Sequence, residues 1–235
     1  MVRGVNYSRS GLESNAKALE IVTNNLANSN TTGFKRSIAL TESVKDAGEQ
    51  PKGRALAGPI IDFSEGELKY TGNKLDLAIK GKGFFTVQAD QGIFYTRQGN
   101  FQVDGEGFLT TPDGYYVLGD GGPIPIDNDA SITEQGEVVV NGEIVDRLAI
   151  TEITDVSKLK AIGKGLFAST DNTVAVNTKD NFVIKAGYLE GSNVEPLEEM
   201  VSLIEIYRRF EANQKALKAQ DESLGKAVND VGRVG

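Results

Sequence analysis

Val138-Val139-Val140-Asn141-Gly142-Glu143-Ile144-Val145 sets a β-branched run on each side of an Asn-Gly pair. Asn and Gly both tolerate the positive φ that a two-residue type I′ turn requires, so this octet predicts a tight β-hairpin. The same pattern extends outward. Leu75-Asp76-Leu77-Ala78-Ile79, Phe85-Thr86-Val87 and Phe101-Gln102-Val103 carry apolar residues at strand spacing, with Asp104-Gly105 and Pro112-Asp113-Gly114 as turn signals. No helical pattern interrupts the stretch from Leu75 to Asp155. A mostly antiparallel, glycine-rich β domain is expected over 75–191.

The ends read differently. Of the 27 glycines, 21 lie from Gly48 to Gly191, and all 6 prolines lie from Pro51 to Pro196, which leaves both termini almost free of helix breakers. Near the N-terminus Val5, Leu12, Leu19 and Leu26 recur every seven residues, with Ala16 and Val22 beside them. Near the C-terminus Leu203, Phe210, Leu217, Leu224 and Val231 do the same, flanked by Met200, Ile206, Tyr207 and Val228. That interval predicts two heptad helices with polar outer faces, each needing a partner to cover its seam. The first should stop within Asn28-Ser29-Asn30-Thr31-Thr32-Gly33, and the second should open at Pro196 behind Ser192 or Asn193. Residues 1–36 carry five Lys/Arg against two Asp/Glu and residues 195–235 carry six against eight, net +3 and −2, which favours their meeting. The expected fold is α+β: N- and C-terminal heptad helices packing as a coiled coil and flanking the β domain. Residues 1–36 and 192–235 would form a helical assembly domain, and the weakly periodic 37–74 an extended arm.

Composition narrows the chemistry. The chain of 235 residues has a net charge of −8 and contains no Cys and no His. It can hold no thiolate nucleophile, no His-based triad, no disulfide and no zinc site built from those residues. The acidic balance argues against nucleic acid. No apolar run is long enough for a membrane helix or a secretory signal, so neither membrane insertion nor a cleaved leader is expected. Gly81-Lys82-Gly83 and Gly105-Glu106-Gly107 begin like a dinucleotide loop, but Thr86 and Thr110 stand at the third glycine position. Asp127-Asn128-Asp129 begins like a calcium loop, but Ile132 and Val138 stand where its Gly and Glu belong. Asp76 with Asp62, Glu65 or Glu67 reads as solvated surface rather than a carboxylate pair. No catalytic, cofactor-binding or metal site and no small-molecule substrate is expected.

Asn24-Asn25-Leu26-Ala27-Asn28-Ser29-Asn30-Thr31-Thr32-Gly33-Phe34-Lys35-Arg36 is costly for a helix end, because clustered Asn is a poor helix former. Amides packed between helices can fix register, which reads as an assembly contact. This run resembles the N-terminal signature of the axial proteins of the bacterial flagellum, the rod and hook subunits; Asn24, Asn25, Leu26, Asn28, Asn30, Thr32, Gly33 and Phe34 carry it. Thr71 to Phe85 resembles the start of that family's β domain, and Tyr95-Thr96-Arg97-Gln98-Gly99-Asn100-Phe101 the hairpin that follows. Gly187, Leu189, Glu190, Ser192, Asn193 and Val194 resemble its C-terminal signature. The compact length is similar to the basal-body rod branch. Tyr7 and Arg208-Arg209-Phe210-Glu211 are similar to the proximal-rod type, with the distal-rod type as a close alternative.

The resemblance implies a structural subunit of the rod, a drive shaft crossing the periplasm. It also implies export through the flagellar type III apparatus without a cleaved signal, and partners that are copies of itself and neighbouring rod proteins. The inner-tube seam would fall on Val5, Leu12, Leu19, Leu26, Leu203, Phe210, Leu217 and Leu224. Two readings from other classes compete: a β-fold carbohydrate-active enzyme, which would show turnover lost on changing one carboxylate, and a cytosolic coiled-coil adaptor, which would form a stable dimer in dilute solution.

Overall fold

A computed structural model describes residues 2–45, 51–127, 130–170, 175–177 and 182–231. They divide into two compact units, Met1–Ala27 with Ser37–Asp62 and Glu195–Gly235, and Asn28–Arg36 with Phe63–Val194. The first unit contains α1 (Val2–Ala27), β1 (Ser37–Lys45), β2 (Pro51–Ile61) and α2 (Pro196–Val231). Helix α1 ends where the Asn-rich turn takes over. The amide of Thr31 donates to the carbonyl of Asn28 at 3.0 Å, and Gly33 sits at φ +65°, which an L side chain adopts only with strain. Helix α2 opens on Pro196, whose fixed φ and missing N–H suit a first helical position.

Within 37–74, expected to be an extended arm, Ser37–Lys45 and Pro51–Ile61 pair as an antiparallel ribbon from Ser37↔Ile61 to Lys45↔Pro51. Register shifts at Leu40/Thr41 and Val44/Lys45 break the two-residue period that would have revealed it in the sequence. The ribbon packs on α1.

The second unit runs β3 (Leu68–Tyr70), β4 (Leu77–Gly81), β5 (Phe84–Ala89), β6 (Gly92–Thr96), β7 (Gln102–Val103), β8 (Leu109–Thr110) and β9 (Tyr116–Val117). It continues through β10 (Ser131–Ile132), β11 (Glu137–Val140), β12 (Glu143–Arg147), β13 (Ile150–Ile153), β14 (Leu159–Gly163), β15 (Leu166–Ser169), β16 (Ala175–Asn177), β17 (Phe182–Ala186) and β18 (Tyr188–Glu190). One sheet has the path β14-β15-β6-β5-β9-β8-β7, with β13 also on β5 and β16 on β13. Smaller sheets pair β17 with β4, β18 with β3, and β10 with β11 and β12. Every pairing is antiparallel. The opening octet forms its hairpin, with Val140 opposite Glu143, Val139 opposite Ile144 and Asn141 at φ +53°. The core lies here: Leu77, Ile79, Phe85, Val87, Leu109, Val117, Ile124, Val138, Ile150 and Ile184 are buried together, and Phe85 meets Phe101 edge-to-face at 5.0 Å.

The fold expectation needs correction. Two α-helices stand against eighteen strands among the described residues, and a large antiparallel sheet dominates the chain. Heptad helices packed as a coiled coil and flanking the β domain are not what the structure contains. A coiled coil buries both rows of its seam. Here Leu12, Leu19, Leu26, Leu203, Phe210 and Leu217 are only half-buried. Val22 is the single buried apolar side chain of α1 among those described, and α2 has none. The apolar face of α1 is shared between α2 and the ribbon. Nor is the outer face of α2 polar: Leu197, Met200, Val201, Ile204 and Tyr207 form a second stripe, 45–73% exposed. A seven-residue interval identifies a face; it does not identify what covers that face.

Candidate assembly site

In the helical unit, Leu19 and Thr23 of α1 and Leu203, Ile204, Tyr207 and Arg208 of α2 line an open groove of about 530 Å³. The second stripe of α2 adjoins it through Ile204 and Tyr207. Leu12, Leu26, Phe210 and Leu217 belong to the half-buried row, while Val5 and Leu224 lie outside the residues whose side chains are described. On the same unit Asn25 is buried and uses its whole amide locally: Nδ2 donates to the carbonyl of Ser37 at 2.8 Å, and Oδ1 accepts from the amide of Ser37 at 2.9 Å. That amide joins the end of α1 to the start of β1.

The rest of the N-terminal signature and the C-terminal signature come together in the β unit. The amide of Gly33 donates to the carbonyl of Glu190 at 2.7 Å, and the amide of Asn193 to the carbonyl of Phe34 at 3.4 Å. Asn193 Oδ1 accepts from the amide of Arg36 at 2.7 Å, while its Nδ2 reaches Ser64 Oγ at 3.0 Å. Asn28 Oδ1 accepts from Thr31 Oγ1 at 3.1 Å, and Ser192 Oγ accepts from the amide of Val194, which is buried. Leu189 pairs with Lys69, and Gly187 stands at φ +82°. Thr32 is half-buried, Asn30 is exposed, and Asn24 lies on the exposed side of α1.

At the centre stands Glu190, fully buried. Its Oε1 accepts from Lys35 Nζ at 2.5 Å and from the amide of Gly66 at 3.0 Å, and its Oε2 accepts from Arg97 Nη1 at 3.1 Å. Lys35 Nζ also donates to the carbonyl of Ser64, and Arg97 donates to the carbonyls of Ile79 and Gly81 while lying 5.3 Å over the Phe84 ring. Two buried cations thus share one carboxylate. Burial pushes the Lys35 ammonium below its ordinary value of 10.5, against the raising pull of Glu190. A Cβ on Gly33 would lie 2.5 Å from the Arg97 backbone, so this approach requires glycine.

The quoted runs include each member of this cluster, yet sequence reasoning did not connect them. The available signal was a charged residue in each of three otherwise turn-like signature runs: Lys35 beside Arg36, Arg97, and Glu190. Among the described residues, no group of three or more acidic side chains is placed to hold a metal ion, and no helix is long and apolar enough to cross a membrane.

Three family descriptions match in order along the chain: "Flagella basal body rod protein" over residues 6–35, "Flagellar hook protein FlgE/F/G D1 domain" over 78–140, and "Flagellar basal body rod FlgEFG protein C-terminal" over 185–230. Flagellar basal-body rod protein FlgF of Caulobacter vibrioides is 38% identical over 229 residues, 93% of each chain. Flagellar basal-body rod protein FlgG of Bacillus subtilis is 33% identical over 97% of this chain and 99% of its own. FlgF of Salmonella typhimurium is 32% identical over 94% and 95%. Relatives of both names match along nearly the whole length, and the chain therefore belongs to the flagellar basal-body rod protein family, as a structural rod subunit of the FlgF/FlgG kind.

Proposed function

We propose that this subunit polymerises through its helical unit, with the groove between α1 and α2 and the outer stripe of α2 covered by neighbouring rod subunits. Family membership places the chain in the flagellar basal body, assembled with other rod components. The observation that supports the helical unit as the assembly surface is the exposed row Leu197, Met200, Val201, Ile204 and Tyr207 beside the groove. A lone helix with two apolar faces is poorly matched to water, whereas a head-to-tail helical polymer can cover both. In this proposal Val5, Leu12, Leu19, Leu26, Leu203, Phe210, Leu217 and Leu224 hold the unit together while the outer stripe meets neighbours. The signature residues Asn28 to Phe34 and Gly187 to Val194 set the turn from which the chain leaves α1.

The same proposal gives the protein no catalytic step: its work is to transmit torque through packed contacts. Proximal-rod placement follows from the resemblance of Tyr7 and Arg208-Arg209-Phe210-Glu211, with the distal rod as the alternative. A periplasmic position and export through the type III apparatus without cleavage complete it. Immunogold labelling of purified basal bodies, with N-terminal sequencing of the recovered chain, tests these points together. Label confined to the rod segment next to the motor and an uncut N-terminus are expected. Label absent from the rod, or a trimmed N-terminus, would refute placement or export respectively.

A further inference from the structure

The polypeptide passes between its two units at 27/28, 36/37, 62/63 and 194/195. Lys35, Ser64 and Asn193 are each the second residue inside the β unit from one of the last three crossings, and Ser64 bonds to both of the others. The carbonyl of Ser64 accepts from Lys35 Nζ at 2.7 Å and from Asn193 Nδ2 at 3.2 Å. Asn193 also holds the amide of Arg36, adjacent to the first of these crossings, at 2.7 Å. Behind them Glu190 joins Lys35 to Arg97, and Arg97 is anchored on the carbonyls of Ile79 and Gly81 in β4. The amide of Gly191 reaches the carbonyl of Glu67 at 2.8 Å, and a Cβ on Gly66 would run into the Gly191 carbonyl. These segments are far apart in sequence, with 155 residues between Lys35 and Glu190.

We propose that Lys35, Ser64, Asn193, Glu190 and Arg97 form a mechanical clamp that gathers three chain crossings at one point of the β unit, so that load entering along any one of them is shared by all three. An untied crossing would peel its own strand from the sheet edge one bond at a time. Tied crossings must yield together: the ties through Lys35 and Glu190 are charge-assisted and largely shielded from water, while those of Asn193 to Ser64 are neutral and exposed. Arg97 carries the load onward into β4, whose Leu77, Ala78 and Ile79 are buried in the core. The rod reading gives the clamp its use, because a shaft subunit is loaded on every turn. The clamp itself is a property of one chain.

Because the sequence has no cysteine, pairs of introduced thiols give unique attachment points for single-molecule pulling on the full chain. Glu143→Cys with Ala212→Cys pulls across the crossings; Glu143→Cys with Lys160→Cys pulls inside the β unit alone. All three positions are exposed. Each pair is combined with Asn193→Ala, which removes the ties to Ser64 and Arg36 and leaves Lys35, Glu190 and Arg97 in place. It is then combined with Asn193→Ala plus Lys35→Met. The expected result is loss of the single high-force rupture in the crossing pull, replaced by stepwise extension at lower force, with the internal pull unchanged. An unchanged crossing rupture overturns the clamp. Equal weakening of both pulls, or loss of cooperative rupture in both, also overturns it, because the cluster then bears no more load along the crossings than elsewhere in the β unit. These outcomes are independent of the basal-body labelling, so failure of the clamp and failure of the assembly reading are distinguishable.

Discussion

The β unit and the helical unit treat their costly groups in opposite ways. In the β unit the core apolar residues close on one another and a buried ion cluster finds its partners internally, with four donors to the carboxylate and backbone of Glu190 and only Arg97 Nε left without one. In the helical unit the long α2 buries no apolar side chain among those described and leaves a stripe open to solvent. The β unit has a closed core and leaves only scattered apolar residues such as Ile93 and Ile144 exposed, whereas the helical unit gathers exposed apolar residues in a stripe on α2. In a family of rod subunits, that contrast is what the proposed assembly through the helical unit rests on.

The largest effect should come from breaking the open side. Ile204 is 53% exposed and lines the groove, so Ile204→Asp should change the stability of the isolated chain by no more than about 0.5 kcal/mol, as surface changes do. If a neighbour covers this position, the same carboxylate becomes a buried unpaired charge costing several kcal/mol in every subunit. Rods should then fail to form, and electron microscopy of basal bodies would show no hook beyond the break. Complete rods from this variant would remove α2's outer stripe from the assembly surface.

The closed side should respond with lost folding rather than lost assembly. Glu190→Gln keeps the shape of the side chain but leaves the buried Lys35 and Arg97 without their carboxylate, a loss of about 3–5 kcal/mol for breaking such a cluster. Lys35→Met should cost clearly less, because one cation and one carboxylate remain matched. The two variants also differ with pH. Burial holds the folded-state value of Lys35 below its ordinary 10.5, so above the folded value the unfolded chain binds the extra proton. Lys35 therefore adds stability as pH rises from the folded value to 10.5, and withdraws it as pH falls back through the folded value. Urea titrations across that alkaline window should show this rise in the parent chain and its absence in Lys35→Met. Equal losses from the two variants would mean that the charge count in the cluster does not matter.

What could be read from the sequence divides along chemical lines. Turn chemistry is local, so the hairpin at Asn141-Gly142 and the end of α1 ahead of the Asn-rich turn were legible from a few residues, and Asn141, Gly142 and Gly33 carry positive φ. The β core was legible from runs such as Leu75 to Ile79 because a buried strand keeps its apolar residues contiguous. Pairings across the chain were not. Nothing near Lys35 announces Glu190, and the ribbon β1–β2 hides behind its register shifts. The heptads misled for a related reason: Leu12 and Leu19 do share a face, but the ribbon β1–β2 and α2 divide the contacts of α1 between them, so regular spacing did not produce a coiled coil.

The smallest effect, and the sharpest test of how local the β unit's completeness is, lies at its most legible point. Asn141 holds φ +53° at the hairpin tip and is fully on the surface. Asn141→Ala keeps the size modest but loses the residue type that tolerates this region, a penalty of about 1–2 kcal/mol for a left-handed L residue. Only the turn should feel it. Val138 is buried three positions from Asn141, and its place opposite Asp146 is set by the sheet rather than by the tip. Denaturation should show the drop, hydrogen exchange should report faster opening confined to Val139 through Ile144, and rods built from this subunit should still reach the hook. A loss of protection that spread to β5 or to Glu190 would show that the tip helps to hold the core together, and the β unit would then be less self-sufficient than its buried residues imply.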